Sequence, residues 1–429
     1  MTNIGSEMLK NCSQIQELTL PFSVRLERVF GTNYLFENPV PTIPSSLKKV
    51  TITGGKEIVN YAFFNCDSLT DIVLPEGLER IGSDAFNGCS SLSGIAIPAG
   101  VTGIGNSAFS GCSNLKNIKI PASVIAVDLS MFEGCTQLLQ KETGVSYIDT
   151  WAVAFDKSVV SVSLREGTVG IADSVFSDCS SLTGIVIPKS VTRIGNSAFS
   201  GCSSLTSIDI PEGVTSIEKR AFYGCRDLTN IIISKGVTSI GDYAFSDCSS
   251  LTSIVIPEGV TRIEEHTFSG CRGLTSIVLP ESVTRIGYSA FSECSNLTSI
   301  VIPESVTSIG DYAFRFCSGL TSIVLPEGVT NIGEYAFDRC NGLTSIVIPD
   351  GVTSIGNGAF HNCRKLTSII IPEGVTDIGK WVFSDCSGLT SITFNGTKEQ
   401  WNAITKGTSW NARTGNYTIY CTDGSLAKV

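Results

Sequence analysis

Charge is scarce in this sequence, and what there is leans acidic: 16% of the residues are charged and the formal net charge is −10. A nucleic-acid backbone needs a basic surface, so DNA and RNA are not expected partners. Histidine is rarer still. His266 and His361 are the only two, and at roughly 5 Å per repeat they stand near 20 Å apart, too far to share a metal ion. No apolar run reaches the roughly 18 residues a spanning helix needs, and Met1-Thr2-Asn3-Ile4-Gly5-Ser6 lacks the basic and apolar regions of a secretion signal, so no membrane insertion is expected. Also missing are a Gly-x-Ser-x-Gly elbow, a glycine-rich phosphate loop, a His-Glu-x-x-His pair and any Cys-x-x-Cys. No catalytic residue, metal ligand or cofactor is therefore assigned, and the chain reads as non-enzymatic.

Cysteine is plentiful, at 16 residues, but its spacing is too regular for a disulfide framework, which belongs to small chains with irregular spacing. It recurs every 23 residues at Cys66, Cys89, Cys112 and Cys135, and again from Cys179 through Cys202, Cys225, Cys248, Cys271, Cys294, Cys317, Cys340 and Cys363 to Cys386. A Phe stands three residues before each and a Leu three after, and a Pro follows most of them nine residues on. A fixed period of this length means a solenoid. Equivalent positions then stack, so the cysteines form a column of buried, reduced thiols behaving as small hydrophobes. A linear column cannot set four thiolates around one tetrahedral ion.

One repeat shows why many copies are needed. In Leu251-Thr252-Ser253-Ile254-Val255-Ile256-Pro257, alternation sends Ile254 and Ile256 inward and Ser253 and Val255 outward, and Pro257 can end the strand because it has no amide hydrogen for the ladder. Val260 and Ile263 supply a second inward stretch, and the residues up to Phe268 and Cys271 read as a single helical turn. A coil of this kind has two narrow apolar edges and no core until its neighbours stack on it. Two columns stand out. Ser253, Ser276, Ser299, Ser322 and Ser345 alternate outward with Val255, Val278, Val301, Val324 and Val347; an uncharged valine stripe facing water is unusual, and these ten residues are the candidate partner-binding surface. Glu258, Glu281, Glu304, Glu327, Asp350 and Glu373 fill the following turn; they are either a solvated edge, screened by salt and by Arg262 and Arg285, or a calcium-attracting one. His266 takes the slot held elsewhere by Tyr243, Tyr312, Tyr335 and Trp381, a surface ring in an aromatic column.

The fold expected is an α/β solenoid, mostly β: a right-handed leucine-rich-repeat superhelix of about 17 coils of about 23 residues, with a parallel sheet on one face and short strands and helical turns on the other. Residues 1–46 hold a partial repeat, a first coil and an irregular stretch from Phe22 to Ser46 carrying Phe30, Tyr34 and Phe36, either a cover for the first coils or a binding loop. The chain starts in mid-repeat, so residues 1–12 are a short helical cap or the cut end of a longer array, the second being favoured. Residues 47–394 are the array, with irregular coils near 136–164 read as a kink or altered loop and not as a domain boundary, where Ser158 stands in the Cys slot near Gly144 and Trp151. Residues 395–429 are a cap, with a capping-box helix after Thr397 and an edge strand from Tyr417 to Tyr420.

The pattern Leu-x-x-Ile-x-Ile-Pro-x-x-Val-x-x-Ile-Gly-x-x-Ala-Phe-x-x-Cys, running from about Cys12 to Phe394, resembles the repeat of the BspA-type leucine-rich repeat family, found largely in bacterial surface and secreted proteins and in some protists. The segment with Gly396-Thr397-Lys398, Trp401 and Cys421-Thr422-Asp423-Gly424 resembles the closing module of such proteins. The resemblance implies an extracellular or cell-surface location and, for some members, binding of host or matrix proteins. The function expected is non-enzymatic recognition of a protein or glycan through the sheet face; the alternative is an intracellular or self-assembling interaction scaffold.

Overall fold

The computed structural model describes residues 8–23, 32–35, 38–41 and 43–428, the two short internal segments by their backbone alone. The chain is a β-solenoid and divides into two compact units: residues 1–156 with 164–175, and residues 157–163 with 176–429. Together they hold roughly 16 turns with about 2% helix, close to the number that the period predicts but with far less helix.

In the first unit, Glu17–Leu20, Lys49–Ile52 and Asp71–Val73 form one parallel ladder, Gly94–Ala96 pairs with Asn117–Lys119, and Glu57–Ile58, Arg80–Ile81 and Gly103–Ile104 form a second ladder. Within the Phe22 to Ser46 stretch, Thr32–Leu35 and Asn38–Pro41 pair antiparallel; Phe30, Phe36 and residues 1–7 lie outside the described residues. The stretch near 136–164 is no altered loop, and the division between the two compact units falls within it, where no boundary is expected from the sequence. Gln140–Glu142, Val145–Ile148 and Trp151–Phe155 make an antiparallel meander, its first turn formed by Thr143 and Gly144, both at positive φ, as a tight two-residue hairpin demands. Trp151 and Tyr147 are buried in it. A Cβ on Gly170 would stand 2.4 Å from the Trp151 ring, so only glycine fits there.

In the second unit, Arg262–Ile263, Arg285–Ile286, Ser308–Ile309, Asn331–Ile332, Ser354–Ile355, Asp377–Ile378 and Thr405–Lys406 build a seven-stranded parallel ladder. On the other face, Ser345–Val347, Ser368–Ile371, Ser391–Phe394 and Thr418–Cys421 run parallel, and Gly424–Ala427 closes the sheet antiparallel. The edge is therefore not Tyr417 to Tyr420 but Gly424–Ala427, the outermost strand. The capping box is present: Gln400 N donates to Thr397 Oγ1 (3.2 Å) and Thr397 N to Gln400 Oε1 (2.7 Å), opening the helix Lys398–Ala403. Trp401 and Ile404 are buried, as the shared helix face predicts.

The segment from His266 to Cys271 is not a helical turn. Alternate amides leave the coil: His266 N, Phe268 N and Gly270 N donate to the carbonyls of Tyr288, Ala290 and Ser292 in the next coil at 2.8–2.9 Å, while Ser269 N and Cys271 N close short turns onto His266 O and Phe268 O. With every second donor committed to its neighbour, an i→i−4 helix cannot form. This zigzag needs left-handed residues, His266 at φ 54° and Gly270 at φ 74°. It also holds the aromatic column in register: from Phe176 to Phe383 the buried rings stack 5.1–5.8 Å apart, within 11° of parallel.

The cysteines are all free thiols. The column from Cys66 to Cys386 is buried, but Cys12 is exposed and so breaks the pattern. The thiols are more than small hydrophobes. Cys271 Sγ donates to Phe245 O at 3.1 Å, and the same bond to the preceding coil recurs from Cys202 to Cys386. A small apolar group whose S–H adds a second bond to a carbonyl already held by a backbone amide describes cysteine well and alanine poorly. In the native protein, an alkylating reagent should therefore modify Cys12 and Cys421 quickly and the 14 buried thiols only after unfolding. Fast labelling of several buried cysteines, read by mass spectrometry, would contradict this packing.

Candidate functional site

The ten residues chosen from the outward positions all stand exposed on one face of the second unit. Ser253, Ser276, Ser299, Ser322 and Ser345 are exposed, and Val255, Val278, Val301, Val324 and Val347 are 72%, 66%, 76%, 80% and 54% exposed. Beneath them Ile254, Ile277, Ile300, Ile323 and Ile346 are buried, which fixes the alternation. The backbone ladder is thin here. Between Val255 and Val324 each pair of coils is joined by a single parallel bridge at the valine itself. Asp209 interrupts the line of apolar residues at its N-terminal side, with exposed Val186 and Ile232 in the same slot.

The neighbouring threonine column was not singled out from the sequence, although it recurs at the same period. Thr275, Thr298, Thr321 and Thr344 each donate Oγ1 to the threonine carbonyl one coil back at 3.3 Å, and Thr367 and Thr390 do so at 3.0 Å. These hydroxyls are committed to holding the stack. The five serine hydroxyls beside them have no hydrogen-bond partner in the protein among the described residues, so they are available to a ligand. Along the strip, fixed threonines, free serines and stiff valines present a surface with few rotamers to immobilise.

Other singled-out residues are placed as follows. Glu258, Glu281, Glu304, Glu327, Asp350 and Glu373 are exposed, one per coil; among the described residues no group of three or more His, Cys, Asp or Glu is arranged to hold a metal ion. His266 stacks on Tyr243, ring centroids 4.4 Å apart, and its partial burial there holds the imidazole pKa below the usual range. Tyr288, one residue off that slot, continues the column at 5.1 Å. His361 is placed elsewhere: Nδ1 lies 2.8 Å from Oδ1 of the buried Asp338, whose Oδ2 accepts from Arg315 Nε at 3.0 Å. This cluster has no nucleophile in reach of the imidazole among the bonds formed by the described residues, and it reads as structural pairing. No helix among the described residues is long and apolar enough to cross a membrane.

A profile described as BspA type leucine rich repeat region matches residues 56–181, 169–298 and 286–405. Among solved structures, a leucine-rich repeat protein from Bacteroides ovatus is 25% identical, with a TM-score of 0.53 over 94% of this chain and 92% of that one. A leucine rich cell surface protein from Faecalibacterium prausnitzii is 28% identical over 91% of each chain, with a TM-score of 0.36. The leucine rich repeat protein of T. pallidum is 30% identical over 36% of this chain and 72% of its own, with a TM-score of 0.33. No curated protein matches the chain.

Proposed function

Because the chain belongs to the BspA-type leucine-rich repeat family, we propose that it is a non-enzymatic binding protein of the cell surface or extracellular space, whose sheet face holds a partner protein. Leucine-rich repeat proteins are generally protein-interaction scaffolds. The observation that carries the reading is the valine line: five successive coils each leave a valine 54–80% exposed in one register. Contiguous apolar patches of several hundred Å² on soluble proteins mark interaction sites. The unpartnered serine hydroxyls supply polar contacts along the same line, and burying valine and serine costs less side-chain entropy than burying longer residues.

The test is Val278→Lys, Val301→Lys and Val324→Lys in one variant, assayed against immobilised purified extracellular-matrix proteins. These side chains face out, so the melting temperature should move by no more than a few degrees, while affinity for any bound partner falls at least about tenfold. Unchanged binding by the triple variant, with deletion of residues 22–46 abolishing it, would move the site to that stretch. Loss of a dimer would instead seat a second copy of the chain on the strip.

A further inference from the structure

In the second unit, the residue before each column cysteine adopts positive φ and is Gly, Asp or Asn with three exceptions in consecutive coils: Glu293 at φ 62°, Phe316 at φ 61° and Arg339 at φ 59°. Large side chains are disfavoured in that conformation, and strain that persists in successive repeats of an otherwise regular array invites a functional explanation. The three side chains line one cleft of about 420 Å³, together with Arg272 and Asn341.

The charges in this cleft do not cancel. Arg272 Nη2 is paired with Glu293 Oε2 at 2.7 Å. Arg315, beside the cleft, is paired with Asp338. Arg339 forms no ion pair among the described residues; its guanidinium carbon lies 5.0 Å from the Phe316 ring centroid, and that of Arg315 lies 4.6 Å from the same centroid. Phe316 thus acts as a rigid support that presents the Arg339 donors without a long, freely moving arm. Asn341 Oδ1, shielded from solvent at the cleft wall, has no hydrogen-bond partner. The lining offers one uncompensated guanidinium fork and one unmet acceptor, on a chain whose net charge is −10.

We propose that this cleft is a second binding site, one that takes an Asp or Glu side chain from an extended acidic segment of a partner protein. The carboxylate accepts from the Arg339 fork. Glu293 disfavours a phosphate or sulfate dianion. Guanidinium groups already lie over the Phe316 ring at 4.6 and 5.0 Å and compete with any sugar for it. The proposal does not depend on the valine strip.

The probe is a fluorescein-labelled hexaglutamate peptide, titrated with the full chain at low ionic strength and followed by anisotropy, with hexaglutamine, hexalysine and a sulfated oligosaccharide in parallel. Hexaglutamate should bind saturably and weaken as salt rises. Phe316→Gly and Arg339→Gly place in the left-handed slot the residue it favours; each should lose at least about tenfold in affinity while its melting temperature stays the same or rises. Arg364→Ser, which removes an exposed cation outside the cleft, should lose less than about twofold. The Val278, Val301 and Val324 lysine variant should keep hexaglutamate binding, separating failure here from failure of the strip. The proposal is overturned by equal losses in Arg339→Gly and Arg364→Ser, by tighter binding of the sulfated oligosaccharide, by absence of hexaglutamate binding, or by a lowered melting temperature in both glycine variants.

Discussion

Raising the pH above about 9 will destabilise the second unit far more steeply than an ordinary domain, because its thiols ionise once unfolding exposes them but stay protonated in the core. From Cys202 to Cys363 every column thiol is held above its usual pKa, with burial the first cause; burial pushes Cys225 up to about 12. An unfolded thiol ionises near 8.5. Below that pH both states keep the proton and the column contributes its full stability. Above it the unfolded chain loses protons that the folded chain retains, so stability falls until the folded thiols titrate in turn. Each thiol weakens folding by about 1.4 kcal/mol per pH unit in this window, and the column over eight coils loses on the order of 10 kcal/mol per unit, comparable with the whole stability of a typical domain. Urea unfolding under reducing conditions at about pH 7.5 and about pH 10 measures this slope. A variant with Cys271, Cys294 and Cys317 replaced by alanine should be weaker at neutral pH, through cavities and the loss of the thiol hydrogen bonds to Phe245, Phe268 and Phe291 O, yet lose less on going alkaline. Parallel pH slopes for the two proteins would show that the thiols are not the titrating groups.

Removing residues 395–429 should convert a monodisperse protein into an aggregating one, although every regular coil remains. The final coil of the array ends on Ser391–Phe394, and the segment beyond it continues both ladders: Thr418–Cys421 pairs with Ser391–Phe394, and Thr405–Lys406 with Asp377–Ile378. Trp401 packs edge-on against Phe394 at 5.4 Å, and Trp410 against Phe383 at 6.1 Å, ending the phenylalanine column with rings turned across it. Arg413 adds a two-point contact to Asp385, at 2.6 and 2.7 Å, that holds the carboxyl below its ordinary pKa. Without this segment Phe383, Leu389 and Phe394 face water beside two open strand edges, a template for further chains. Trp401→Ala is the milder version and should cost about 3–5 kcal/mol. Deleting a regular coil while keeping residues 395–429 should shorten the array and leave it folded, since stacking energies are nearly a sum over neighbours. Size-exclusion chromatography of the two deletions decides the matter: a monodisperse, folded protein lacking 395–429 would mean that the segment does not protect the stack.

Parts of the candidate surface were readable from the residues alone. Val255 and Val301 face out because Ile254 and Ile300 beside them must face in, and a period of two leaves no other choice. The free serine hydroxyls could be named only once Thr275 was seen bonding to the Thr252 carbonyl. For the cleft the sequence carries a signal in the residue before each cysteine. Gly, Asp and Asn alternate before the cysteines and mark a left-handed position, against which Glu293, Phe316 and Arg339 are anomalies. The meander around Trp151 was legible only as an irregularity, because Thr143-Gly144 signals a hairpin weakly inside a chain that otherwise pairs in parallel.

By itself, then, the sequence determined the repeat, its inward and outward faces, and the aromatic and thiol columns. All of these follow from one residue type recurring at one spacing, and the alternation of side chains along a strand is a local property. Only the tertiary structure decided that the segment before each cysteine is a zigzag and not a helix, that Cys271 donates to Phe245 O across 26 positions, and that the last strand is Gly424–Ala427. The physical reason is common to these three: each depends on which backbone group of a neighbouring segment, remote or reached through a tight turn, lies within about 3 Å of a donor, and stacking sets that distance where local propensity cannot.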